Sequence, residues 1–106
     1  MILEDNLKIA RLIDVYGKLL TDKQYQIMTS YYFDNLTLSE IGDNFYISRQ
    51  AVNDCLSQAT KILKSYEDKL QLVEKIELLK EKMLSMKECT KDNLTDYIDE
   101  ILEMLE

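Results

Sequence analysis

The chain has 106 residues, 46% of them apolar and 31% charged, and a net charge of −7. That length makes one domain, or one small domain with an appendage, and the apolar share is too high for a disordered chain. Proline and histidine are absent and only Gly17 and Gly42 are glycines, which favours helix and removes the commonest general base.

Cys55 and Cys89 are isolated from each other and have no histidine to join them. Tetrahedral zinc takes about four soft or nitrogen ligands, so no metal is expected, and Cys55 reads as a reduced, small core residue. There is no glycine-rich phosphate loop, nucleophile elbow or acidic pair at metal-binding spacing, so neither an enzyme, a cofactor nor a small-molecule substrate is expected. No apolar run reaches the roughly 18 residues a membrane span needs. The start, MILEDNLKIARL, lacks a signal peptide's basic-then-apolar order, which makes the expected location cytoplasmic, with no membrane partner.

The first helix is predicted from about Leu3 to Tyr16. Ile9, Leu12, Ile13, Tyr16 and Leu20 recur at helical spacing there, and Gly17 relaxes the end. The second opens on TDKQ, where Thr21 and Gln24 form a capping box, and shows Leu20, Ile27, Met28 and Tyr31 on one face. FDNL, residues 33–36, reads as a turn. The third helix opens on TLSE with Thr37 and Glu40 as its capping box, and Ile41 and Phe45 are expected to face inward. The fourth starts at Ser48 and carries Val52, Cys55, Leu56, Ala59, Ile62 and Leu63. Its stripe continues through Tyr66, Leu70, Val73, Ile76, Leu79, Met83 and Met86 with no forced break, apart from room for a kink near residues 65–68. The CTKDN stretch from Cys89 interrupts the pattern. A last helix from about Asn93 presents Leu94, Tyr97, Ile98, Ile101, Leu102 and Leu105. The expected fold is all-α, with a helical bundle over residues 1–65 and an acidic helical extension over 66–106.

Residues 37–58 spell a helix-turn-helix, in which one helix braces a second whose first turns enter the major groove. Such a pair needs a small residue where the helices come close, and Gly42 meets that need. Many such turns carry a left-handed glycine, whereas this chain has Tyr46, which is strained if it adopts positive φ. Ile47 and Val52 are expected to plug the gap between the helices. Ser48 caps the second, and Arg49, Gln50, Asn53, Asp54 and Ser57 form its leading face. Arginine can hold guanine bidentately, Gln or Asn can do so for adenine, and Asp can accept from cytosine. Lys61 and Lys64 lie farther along, within reach of the phosphate backbone.

Charge is uneven. Residues 1–36 hold four basic and five acidic groups, residues 37–65 three of each, and residues 66–106 six basic and twelve acidic. The acidity therefore belongs to the tail, and the helix-turn-helix is neutral.

The blocks LTDKQYQIM, LTLSEIGDNF and ISRQAVNDCLSQATKIL, within residues 20–63, resemble region 4 of the sigma-70 factors, which reads the −35 promoter element. In that likeness Arg49, Gln50, Asn53 and Asp54 fall at base- and phosphate-contacting positions. Position 53 is more often basic there, and Asp54 is a departure. A wider resemblance covers nearly the whole chain. YGKLLTDKQ, YYFDNLTLSEI and SRQAVND, followed by an acidic helical tail, are similar to the YlxM-like helix-turn-helix proteins of Gram-positive bacteria and mycoplasmas. Their genes usually neighbour those for the signal recognition particle GTPase or its receptor, so this resemblance implies a regulatory role in protein targeting. Phe45–Tyr46 in the turn departs from the pattern.

Two functional expectations follow. In the first, a DNA-binding regulator uses its C-terminal helices to pair two protomers into a homodimer, so that two recognition helices meet adjacent half-sites. The alternatives for the Leu70–Met86 stripe are to fold back on the first helix or to pack with the Leu94–Leu105 helix as a hairpin. In the second, a non-enzymatic adaptor keeps the helix-turn-helix as scaffold. It binds RNA polymerase or the basic, RNA-associated components of the signal recognition particle, partly through its acidic tail.

Overall fold

The computed structural model describes residues 3–88 and 91–106, and side chains over 5–88 and 93–106. Its elements are all helical: α1 (Leu3–Tyr16), a 3₁₀ turn (Gly17–Leu19), α2 (Asp22–Tyr32), α3 (Leu38–Phe45), α4 (Arg49–Leu70), α5 (Leu72–Glu88) and α6 (Lys91–Leu105). The all-α, helix-turn-helix architecture expected from the sequence is what the chain adopts. Cys89 lies outside the described residues, and α6 begins two residues before the expected Asn93.

Two compact units divide at Gln71, covering residues 1–70 and 71–106. The sequence alone predicts a division at residue 65 and permits one helix from Ser48 to Met86. Instead Gln71 takes φ 55°, in the left-handed region, and the next helix starts at once, with Lys75 N–H donating to the Gln71 carbonyl at 3.1 Å. The apolar stripe keeps its spacing straight through this break, so periodicity has nothing to register there.

In the first unit α4 is the axis against which α1, α2 and α3 all pack. Val52, Leu56, Ala59 and Leu63 come round every three or four residues and are buried on one side of it. They meet Ile9, Leu12, Ile13 and Tyr16 of α1, Leu20, Ile27 and Met28 at and within α2, and Ile41 of α3, all buried. Each of these Val, Leu, Ile and Met side chains contributes about 1.5–3 kcal/mol when fully removed from water, before conformational entropy is charged against it. Phe45, Ile62 and Cys55, expected inside, are only half-buried, because they sit at the shoulders of their helices' apolar faces.

Both capping boxes form. Thr21 Oγ1 accepts from Gln24 N–H at 3.2 Å, and Gln24 Oε1 accepts from Thr21 N–H at 3.1 Å. Gly17, at the end of α1, is buried, and a β-carbon there would stand 2.8 Å from the Tyr25 ring. Beside it, Tyr16 stacks on Tyr66 with ring centroids 5.9 Å apart and donates its phenol proton to Glu67 Oε1 at 2.5 Å. The last turns of α4 are thereby tied to the end of α1.

The second unit is a pair of helices, α5 and α6, in contact with each other. Lys82 of α5 forms an ion pair with Glu100 of α6. No residue of α5 is buried, and Ile76, Met83, Ile98 and Leu102 remain 38%, 56%, 42% and 54% exposed.

Candidate nucleic-acid interface

The helix-turn-helix is α3, residues 46–48 and the start of α4. Thr37 Oγ1 accepts from Glu40 N–H and Glu40 Oε1 accepts from Thr37 N–H, each at 3.1 Å, which fixes where α3 begins. Tyr46 ends it with φ 58° and ψ 40°. Its N–H and that of Ile47 both donate to the Gly42 carbonyl, the latter at 3.0 Å. This is the left-handed helix ending that glycine usually provides, here carried by tyrosine.

Gly42 is fully enclosed by that ending. A β-carbon on it would lie 2.7 Å from the Ile47 carbonyl oxygen and 3.6 Å from the Arg49 nitrogen. The close approach expected at Gly42 is real. Its partner is the backbone of the turn and of the start of α4, whereas the sequence suggested a simple crossing of two helix barrels. Backbone cannot swing aside as a side chain can, so the position excludes any larger residue. Of the two residues expected to plug the gap, Ile47 is half-buried and Val52 has no exposure at all.

Ser48 caps α4: its Oγ accepts from Ala51 N–H and its carbonyl from Val52 N–H, both at 3.0 Å. Behind the cap, Arg49, Gln50, Asn53, Asp54 and Ser57 are all exposed, as are Lys61 and Lys64 farther along. The structure thus brings every proposed contact residue onto the outer side of the helix whose inner side is the core axis. Arg49 pairs with no carboxylate of its own unit among the described residues.

One contact on this face escaped the sequence reading. Gln50 Nε2 donates to Asp54 Oδ1 at 3.0 Å, an i,i+4 pair that the spacing alone could have suggested. It aims the Gln50 amide along the helix and engages one of the two groups that a bidentate hold on adenine would use.

Two ionisable groups sit between α2 and α4. Burial pushes the Tyr32 phenol above its ordinary pKa, tempered by a hydrogen bond with Thr60. Burial likewise raises the Cys55 thiol, against the opposing charge of Lys23. Raised values keep both groups neutral near pH 7, so Cys55 is a protonated thiol there and a poor nucleophile or ligand. Among the described residues no cluster of His, Cys, Asp or Glu could hold a metal ion. Among them, too, no helix is long and apolar enough to cross a membrane.

A capped brace, a closed turn and a capped second helix with its polar face outward define a helix-turn-helix protein. Residues 3–104 match the family described as "UPF0122: Putative helix-turn-helix protein, YlxM / p13 like", and the chain belongs to that family. A UPF0122 protein of Clostridium perfringens strain 13 is 40% identical over 107 residues, covering 95% of this chain and 96% of its own. One from Bacillus pumilus is 38% identical over 107 residues, covering 100% and 97%. A third, from Fusobacterium nucleatum, is 35% identical over 103 residues, covering 96% and 100%.

Proposed function

We propose that this protein is a non-enzymatic regulator that binds duplex DNA, with the first turns of α4 in the major groove and α3 as the brace. The observation that carries this reading is the outward face of Arg49, Gln50, Asn53 and Ser57 on a helix held rigidly from its other side. The likeness of residues 20–63 to sigma-70 region 4 supports promoter-type DNA as the ligand. The YlxM-like resemblance supports a place in the signal recognition particle targeting pathway, in the cytoplasm, without a cofactor. Two protomers pair through α5 and α6, since two such hairpins make a four-helix bundle that covers Ile76, Met83, Ile98 and Leu102. Each protomer then offers one recognition helix to one half-site.

Arg49, Lys61 and Lys64 are the basic groups of this region, a small electrostatic footprint. At about 0.9 per neutralised phosphate, the salt slope is roughly −2 to −4 per protomer. Fluorescence anisotropy on a labelled duplex at about 50 and 200 mM salt tests this. Binding should weaken by about 20- to 200-fold across that range, and Arg49→Ala should flatten the slope by about one phosphate contact.

A second reading is favoured by Asp54, whose carboxylate stands on the leading face. Here the helix-turn-helix is a scaffold, and the protein binds a basic partner such as a signal recognition particle component, or RNA polymerase. Absence of duplex binding at the lower salt selects this reading over the first.

A further inference from the structure

We infer that Tyr46 is itself a nucleic-acid contact, laying its ring and phenol hydroxyl against the sugar–phosphate backbone beside the groove that α4 enters. The inference rests on the DNA-binding reading above and adds to it a residue from outside the recognition helix.

Among the described residues, three non-glycines have positive φ: Asn35, Tyr46 and Gln71. Asn35 belongs to a residue type that adopts this region readily, whereas Gln71, like Tyr46, carries the β-carbon that makes the region costly. Tyr46 combines the left-handed backbone with a bulky aromatic ring, for which the conformation is costly and glycine would be the relaxed choice. Strain of this kind is ordinarily offset by burial of the side chain. Here the residue is 94% exposed, against 66% for the next most exposed large apolar residue among those described, Leu105. No described residue hydrogen-bonds its hydroxyl. The ring therefore does nothing for the fold that would offset the strain, and a retained strained residue points to a ligand.

Its position supplies the ligand. Tyr46 stands two residues before the cap Ser48 and three before Arg49. The N–H groups of Tyr46 and Ile47 are clamped to the Gly42 carbonyl, and the Ile47 carbonyl is pressed on Gly42. The Tyr46 backbone is thus fixed relative to the leading turn of α4, and only the side-chain torsions remain free. Tyrosine suits such a place because it offers a large amphipathic surface with only two torsions to immobilise. Its ring packs on deoxyribose while its hydroxyl donates to a phosphate oxygen, a contact that carries no net charge and does not depend on sequence. In a region with as many acidic as basic groups, such a neutral contact adds affinity that cations do not supply.

The test measures duplex affinity and thermal melting for wild type, Tyr46→Gly, Tyr46→Phe and Arg49→Ala. Tyr46→Gly should melt about 3–6 °C higher as the strain is released, yet bind the duplex about 3- to 10-fold more weakly. Tyr46→Phe, which keeps both ring and strain, should melt with the wild type and bind about 2-fold more weakly. Loss of affinity in Arg49→Ala with undiminished binding in Tyr46→Gly overturns this inference and leaves the DNA-binding reading intact. A wild type that binds no duplex at about 50 mM salt overturns both. Weaker binding by a Tyr46→Gly protein that melts lower than wild type also counts against it, since a damaged elbow would then account for the loss.

Discussion

The two units of this protein carry helices of the same design, each with one apolar stripe, but only the first covers its stripes from within. Residues 1–70 bury side chains from all four of their helices around α4. In residues 71–106, α5 buries nothing, and α6 leaves Ile98, Leu102 and Leu105 exposed. Two helices in contact shield only the strip between them, whereas three helices set round a fourth enclose it. The stripe in a sequence thus marks which face is apolar. What closes over it is decided by how many neighbours the chain supplies.

Mutations on matched faces sharpen this contrast. Leu63→Ala, in the enclosed unit, should cost about 2–5 kcal/mol in urea unfolding, through lost burial and the cavity left behind. Met83→Ala, 56% exposed in the wild type, should shift stability by less than about 0.5 kcal/mol in dilute solution. Equal losses at the two sites would mean that the second unit is as enclosed as the first. Gly42→Val should come next, at about 1–3 kcal/mol, because its β-carbon meets the Ile47 carbonyl. An unchanged melting temperature there would show that the turn has slack. Ile98→Glu is read by association and not by melting. Under the proposed pairing through α5 and α6, sedimentation velocity should show self-association displaced to at least tenfold higher concentration, about 1.4 kcal/mol. A variant that associates as readily as the wild type places the seam elsewhere.

Much of the first unit was legible in the sequence because its signals are local. Thr21 with Gln24, and Thr37 with Glu40, announce helix starts three residues apart in the chain, and both boxes form. The residues that close the core were visible as stripes. Gly42 was legible as a small residue in a tight place, but the atoms crowding it were not, since they belong to a turn whose path depends on Tyr46. Gln71 was illegible. Glutamine favours helix, and nothing beside it in the sequence demands a left-handed residue, so the division at Gln71 comes from the folded chain and not from a breaker. The leading face of α4 was readable as a set of exposed residues, whereas the turning of Gln50 toward Asp54 depends on rotamers that spacing permits without dictating.

α4 has 22 residues, a rod about 33 Å long at 1.5 Å per residue. Tyr16 grips its far end through Tyr66 and Glu67, and the Ser48 cap sets its near end. Because the buried and exposed residues lie on opposite sides of one rod, a substitution on one side need not disturb the other. Positions 49, 50, 53 and 57 all lie on the exposed side, so that surface can be rebuilt while the scaffold beneath it stays as it is.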